Sequence, residues 1–254
     1  MVSVLNLLSG AGMVTVGVAA IAYWYLKKKP GLEYFFYGGI FWAIAIGIKL
    51  AMDLTISQPL QKFLLANMSI LPFLILISLY VGVRTGLFES GITYIVVKMT
   101  KLSKMNFNEA IAVGIGFGGA EAIVLGLLSM LSIMTYILMP DLVSTLSAEV
   151  QDQFSLKYMP LPIIERTFTL LCHVFATLLA IYAVKLNDLR WLGVSVLFKT
   201  ALDAVIPIAG YYLTGFSGTV LIEGYVVLLG ILAYIGTIWF KNKYVAGERD
   251  AYKA

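Results

Sequence analysis

The sequence predicts an all-α protein, a polytopic bundle of about seven transmembrane helices. Of its 254 residues, 60% are hydrophobic and only 13% are charged, whereas about a quarter of the residues of a soluble domain are charged. The mean hydropathy is +0.91. Because one crossing takes roughly 20 apolar residues, we expect residues 1–254 to form a single transmembrane domain and the protein to be a multi-pass component of the cell membrane.

Seven apolar runs, bounded by charged residues or proline, predict the spans. They cover residues 4–26, 32–55, 68–97, 110–139, 163–184, 192–213 and 219–240. Each run is long enough to cross a bilayer as a helix. Positive charge follows the first run instead of preceding it, so we expect this run to remain as a span and not to be removed as a signal peptide.

The basic residues indicate the orientation of the bundle. Twelve of the 18 lysines and arginines fall in alternate loops, at Lys27, Lys28, Lys29, Lys98, Lys101, Lys104, Lys185, Arg190, Lys241, Lys243, Arg249 and Lys253. By the positive-inside rule these loops face the cytoplasm, which puts the N-terminus outside and the C-terminus inside. The rule also accounts for the net charge of +4, so we expect the lipid bilayer, and no nucleic acid, as the partner of these charges.

Charged residues within the spans are the strongest indication of a functional site, because such residues are costly in hydrocarbon and usually face a protein interior or a water-filled cavity. Counting about 1.5 Å per residue from the basic loops places Glu121, His173 and Asp203 at a common depth of roughly 18 to 20 Å. Glu89 and Lys199 share a shallower level of roughly 13 to 14 Å. We therefore expect a polar cavity around the first three residues and an ion pair between the last two, provided that the third and sixth spans touch.

Local pairing is the competing interpretation of these charges. Lys49 and Asp53 are four residues apart, as are Lys199 and Asp203, and such pairs lie on one helix face. We favour a structural pair for Lys49 and Asp53. Glu121, His173 and Asp203 have no local partner that would satisfy all three residues.

The fourth span carries a stripe of small residues at intervals of four: Gly114, Gly118, Ala122 and Gly126. Stripes of this kind allow membrane helices to approach closely. We therefore expect this span to be central in the bundle, with Glu121 near a helix contact.

Four segments on successive spans, "GLFES", "GFGGAEAIVLG", "ERTFTLLCH" and "KTALD", resemble the YhfC family of intramembrane metallopeptidases, which are distant relatives of the CAAX-processing and bacteriocin-processing membrane proteases. The similarity covers nearly the whole chain. It implies a membrane-embedded peptidase in which Glu121 is the base that activates water, His173 polarises the substrate or stabilises an oxyanion, and Glu89 and Asp203 orient the other groups. Lys199, Arg166 and Glu165 would form structural ion pairs beside them.

The chain departs from the family pattern at three places. Where the pattern has Glu-Glu-x-x-Arg, only Glu89 is kept, and Ser90 and Thr93 replace the second Glu and the Arg. Where the pattern has Gly-His-Gly-Gly, Phe117 occupies the histidine position. Where the pattern has His-x-x-x-Asp, Lys199 replaces the histidine. A divergent or catalytically degenerate member, a pseudoenzyme, is therefore the favoured hypothesis.

The sequence leaves the activity and the cofactor open. Glu89, Glu121, His173 and Asp203 offer donors for a divalent metal, but the charge of Lys199 beside them would repel a cation. An active member would be a hydrolase. One alternative is a non-catalytic binding or scaffold subunit of a membrane complex, which binds a membrane peptide, a lipid or a partner subunit. The other is a small-solute or proton-coupled carrier, because mid-membrane carboxylates and histidines also mark transport pathways.

Overall fold

A computed structural model describes residues 2–245, and these are 90% helical with no strand. Within this range seven helices are long and apolar enough to cross a membrane. The all-α multi-span architecture predicted from hydropathy is therefore confirmed. Arg249 and Lys253, which entered the orientation argument, lie outside the described residues, and the orientation remains a prediction.

Ten α-helices follow one another along the described chain. They are α1 (Leu7–Lys28), α2 (Leu32–Met52), α3 (Gln58–Asn67), α4 (Ile70–Met99), α5 (Phe107–Leu138), α6 (Asp141–Ser144), α7 (Ala148–Asp152), α8 (Leu161–Lys185), α9 (Leu189–Tyr212) and α10 (Gly215–Phe240). Short 3-10 turns at Val4–Asn6, Lys101–Lys104 and Leu156–Tyr158 adjoin α1, α5 and α8. Helices α1, α2, α4, α5, α8, α9 and α10 form the body of the bundle.

The second span is longer than predicted. Its helix does not stop at residue 55 but passes through a π-helical segment, Asp53–Ser57, into α3 and ends at Asn67. Pro59 lies in the first turn of α3, just after the π-helical segment.

Helix α5 begins three residues earlier than expected, because a capping box fixes its start. The Asn106 side chain accepts hydrogen bonds from the backbone N–H groups of Asn108 and Glu109, at 2.9 and 3.1 Å. In return, the Glu109 carboxylate accepts from the Asn106 N–H at 2.7 Å. Together these bonds satisfy three of the N–H groups that a helix start leaves without an intrahelical partner.

Helices α5 and α8 lie at the centre of the bundle. Helix α5 packs against α1, α2 and α8, while α8 also contacts α4, α9 and α10. The second major contact joins α4 to α9. The charged residues of α4, α5, α8 and α9 are thus directed toward one another from four neighbouring helices.

Glycines make the central contact close, as the small-residue stripe predicted. A Cβ added at Gly114 would lie 2.7 Å from the Cα of Val174, and one at Gly118 would lie 3.2 Å from the Cβ of His173. Farther along α5, a Cβ at Gly126 would lie 2.6 Å from the carbonyl oxygen of Gly10 on α1. The two nearer glycines therefore bring the backbone of α5 against the part of α8 that carries His173.

We expect Gly114→Ala to lower the unfolding free energy by about 1 to 3 kcal/mol, because overpacking forces the two backbones apart. Gly91→Ala is the matched control, since a Cβ there meets nothing within 4 Å and alanine has the higher helix propensity. Thermal unfolding of both variants in detergent measures the difference. Equal melting temperatures would show that α5 and α8 do not pack in this register.

Candidate functional site

The site is built around Glu89, a carboxylate of α4 whose side chain is 4% exposed. One oxygen, Oε1, accepts from Nζ of Lys49 on α2 at 2.6 Å. The other, Oε2, accepts from Nζ of Lys199 on α9. The Lys199 side chain is 2% exposed, so two buried or nearly buried ammonium groups compensate one buried carboxylate.

Lys199 also contacts His173 of α8 through the ring nitrogen Nδ1. An ammonium group has only donors, so Nδ1 accepts and carries no proton. The other nitrogen, Nε2, lies 2.8 Å from Oε2 of Glu121 on α5 and therefore donates its proton to that carboxylate. Both nitrogens of His173 are thus engaged by its two neighbours.

Arg166 continues this line of contacts on α8. Its Nη1 donates to Oε1 of Glu121 at 2.5 Å, and its Nε donates to Oε2 of the adjacent Glu165 at 2.8 Å. Arg166 and His173 are seven residues apart on nearly the same helix face, which allows both to reach Glu121.

Phe117 of α5 completes the surroundings of His173. Its ring stacks on the imidazole with centroids 4.9 Å apart, and Nζ of Lys199 lies 4.7 Å from its centroid. An ammonium group near an aromatic ring is attracted to its electron-rich face. Phe117 and Lys199, the two residues that replace histidines of the family pattern, therefore contact each other and His173.

The structure brings Glu89, Lys199, His173, Glu121, Arg166 and Glu165 into one continuous network with Lys49. We call these seven residues the ion cluster. It contains three carboxylates, three fixed cations and a neutral imidazole. Opposite charges alternate through the cluster, and its formal net charge is zero.

The local pair expected between Lys49 and Asp53 is wrong, because Lys49 turns to Glu89 of α4 instead. Asp53 pairs with Arg84 of α4 and accepts from the hydroxyl of Ser57 at 2.8 Å. Each residue of the expected pair therefore has an oppositely charged partner on α4, and these contacts between helices replace the local pair.

Asp203 has a different environment from the one expected for a partner of Lys199. It accepts from the hydroxyl of Thr85 on α4 at 2.7 Å, while Lys199 contacts Glu89 and His173. Asp203 still lies on the wall of the same recess as Glu121 and His173. The depth estimated from helical rise grouped Glu121, His173 and Asp203. It did not identify Thr85, because only charged residues and histidine were considered and a threonine hydroxyl is uncharged.

Ser90 occupies the position of the second glutamate in the family pattern. Its hydroxyl shares a hydrogen bond of 2.7 Å with the hydroxyl of Ser195 on α9. Ser195 also lies 2.7 Å from the backbone carbonyl oxygen of Ala176 on α8, to which it donates. A neutral bridge between three helices thus replaces the charge of the family pattern.

A recess of about 310 Å3 adjoins the ion cluster. Charged groups of the cluster, Asp203 and the hydroxyls of Thr85 and Thr169 line its inner part, and Val81, Leu202, Ile206 and Val226 form apolar walls. Ile206 is 43% exposed. The volume is at the lower end of the range for small-ligand pockets.

A comparison with family models matched residues 13–227 to the YhfC intramembrane metalloprotease family. The chain belongs to the YhfC family. A search of curated proteins found no significant match, and neither did a search of solved structures. The YhfC match covers every residue of the ion cluster.

The YhfC family description implies a metal ion, but the residues present do not fit one. The Nδ1 lone pair of His173 is taken by Lys199, and its Nε2 carries the proton given to Glu121. Both oxygens of Glu89 and both of Glu121 face cations or that N–H. Across residues 2–245, no group of three His, Cys, Asp or Glu side chains is arranged to hold a metal. A divalent ion would also add two uncompensated charges to a neutral cluster.

We expect Lys199→Met to lower the unfolding free energy by about 3 to 5 kcal/mol, because it leaves buried charge without its partner. Adding Glu89→Gln should recover part of this loss, since the carboxylate then no longer needs the ammonium group. Unfolding of the single and double variants in detergent provides the double-mutant cycle. Lys62→Met on the exposed surface of α3 is the control and should change stability by less than about 0.5 kcal/mol. If the changes in unfolding free energy caused by Lys199→Met and Glu89→Gln simply add in the double variant, Lys199 and Glu89 do not form the ion pair.

Proposed function

We propose that this chain is a non-hydrolytic member of the YhfC family that binds a segment of a membrane peptide beside the ion cluster. The observation that carries the proposal is the ammonium group of Lys199, which engages Glu89 and Nδ1 of His173. These are donors that a catalytic metal would require. In this proposal the ammonium group of Lys199 does the electrostatic work of a metal ion without offering a coordination position for water.

The state of Glu121 supports the same conclusion. A general base must accept a proton from a water molecule within hydrogen-bond reach. In this chain Arg166 and the N–H of His173 each engage one oxygen of Glu121. With each oxygen already paired in this way, Glu121 is poorly placed to take a proton from water.

The recess suggests a peptide as the ligand. Its inner wall presents hydroxyls and a carboxylate, at Thr85, Thr169 and Asp203, which can pair with backbone N–H and C=O groups. A backbone that leaves its helix inside a membrane needs such partners, because hydrocarbon supplies none. The apolar walls of the recess suit the flanking side chains.

We infer further that the protein lies in the cell membrane with its basic loops in the cytoplasm. The distribution of lysine and arginine between alternate loops supports this inference. The recess would then open on the side of the bundle remote from those loops, where α8 begins and α9 ends.

We expect the purified protein to contain far less than one zinc ion per chain and to leave model transmembrane peptides intact, with or without added zinc. Phe117→His combined with Lys199→His should gain zinc, because it restores two imidazole donors beside His173 and removes the repelling charge. Elemental analysis and peptide mass spectrometry provide the measurements.

Phe117→His alone is the matched control for this experiment. It adds one imidazole but retains Lys199, so it should stay free of zinc. Stoichiometric zinc in the unaltered protein, together with cleavage that a chelator abolishes, would overturn the non-hydrolytic assignment.

Peptide binding is tested by narrowing the recess. We expect Ile206→Trp to weaken the retention of a panel of transmembrane peptides by about tenfold or more, since loss of a well-filled pocket is worth at least 1.4 kcal/mol. Ile231→Trp, on the exposed surface of α10, adds the same indole away from the recess and should bind as the unaltered protein does. Equal retention by both variants would show that peptides do not occupy the recess.

A further inference from the structure

A second cavity lies on another side of the bundle, remote from Glu89 and Lys199. Helix α1 packs against α5 and α8, and α10 packs against α8, so α1 and α10 flank a groove whose floor is formed by α5 and α8. The groove has a volume of about 470 Å3. We call it the α1–α10 groove.

The walls of the α1–α10 groove are hydrocarbon over most of their length. Its floor consists of Ile111 and Ile115 of α5 together with Leu170, Leu171 and Val174 of α8, and Ala20 of α1 lies at one side. These residues belong to helices that are long enough to cross the membrane. The groove is therefore open to a hydrocarbon chain that runs parallel to the helices.

One end of the groove is strongly basic. Lys27 and Lys28 end α1, and Lys241 directly follows α10. Among residues 2–245, none of these three ammonium groups has a carboxylate within 4.0 Å. Lys27 reaches only the hydroxyl of Tyr23, at 2.5 Å, and Lys241 lies 6.0 Å from the ring centroid of Phe107. Three cations thus remain uncompensated beside an apolar channel.

An aromatic residue marks the level at which the basic end meets the apolar floor. Trp24 lines the groove and donates its indole N–H to the backbone carbonyl of Asn108 at 2.9 Å. Indole rings are enriched at the boundary between headgroups and hydrocarbon. The lysines therefore lie at headgroup level, and the floor of the groove lies below it.

We propose that the α1–α10 groove binds one anionic phospholipid, with its phosphate between Lys27, Lys28 and Lys241 and an acyl chain on the floor formed by α5 and α8. Only a molecule with a negative head and a hydrocarbon tail matches both halves of this groove. Basic pockets between transmembrane helices on the cytoplasmic side are typical sites for anionic headgroups, and the sequence predicts that this end faces the cytoplasm.

The bound lipid would also stabilise the contact between α5 and α8 that lies next to the ion cluster. Leu170 and Val174 on the groove floor flank His173 along α8, and both lie against the glycines of α5. An acyl chain in the groove would therefore cover the outer side of the close contact between α5 and α8. This role is independent of whether the recess binds a peptide.

The headgroup is tested with the triple variant Lys27→Gln, Lys28→Gln, Lys241→Gln. Native mass spectrometry of the full chain in detergent, with added phosphatidylglycerol or phosphatidylcholine, measures lipid retention. We expect the unaltered protein to retain phosphatidylglycerol in preference to phosphatidylcholine and the triple variant to lose about tenfold or more of that preference. The matched control, Lys98→Gln, Lys101→Gln, Lys104→Gln, removes the same charge from another basic loop at the same end and should keep the preference.

Binding of the acyl chain is tested with Ala20→Trp, which fills the α1–α10 groove without changing its charge. The control is Ala19→Trp, on the exposed side of α1. We expect only the first substitution to weaken phosphatidylglycerol retention, and we expect free inorganic phosphate not to compete. Equal loss in the two triple variants would overturn the lipid site. So would phosphatidylglycerol retention that survives Ala20→Trp and is displaced by inorganic phosphate, which would indicate a surface anion site.

Discussion

Burial of charge in a low-dielectric interior is the constraint on which the rest of this structure depends. An isolated carboxylate or ammonium group is costly there, and a buried pair is tolerated only when its geometry satisfies both partners. Glu89 and Lys199 are among the most buried charged residues of the described chain. The contact between α4 and α9, the approach of α5 to α8 at Gly114 and Gly118, and the inward turn of Lys49 all serve to bring opposite charges together at one place.

Within that constraint, Lys199 determines the chemistry of the centre. A metal ion and an ammonium group both neutralise nearby carboxylates, but only the metal supplies open coordination positions where water is activated. Lys199 donates to its neighbours and accepts nothing. Its contacts with Glu89, His173 and Phe117 place an ammonium group at the centre of the ion cluster.

Much of this fold could be predicted from composition and spacing. The seven hydrophobic segments, the close glycine contact and the shared depths of the charged residues follow from periodicity, which survives folding because a helix advances by a fixed rise per residue. Lys49 illustrates where such reasoning fails. Its spacing from Asp53 indicates a local pair, but Glu89 on another helix binds the ammonium group, and Asp53 pairs with Arg84.

The sequence by itself determined that this is a helical membrane protein of the YhfC type and which charged residues lie within its spans, because hydropathy and motif spacing are properties of the chain alone. Only the tertiary structure decided how those charges combine. Three features depend on which helices are neighbours: the contacts at both nitrogens of His173, the contacts at both oxygens of Glu121, and the position of Lys27, Lys28 and Lys241 at one groove. Helix neighbours are set by packing between segments far apart in the chain, and spacing within a single helix does not encode that packing.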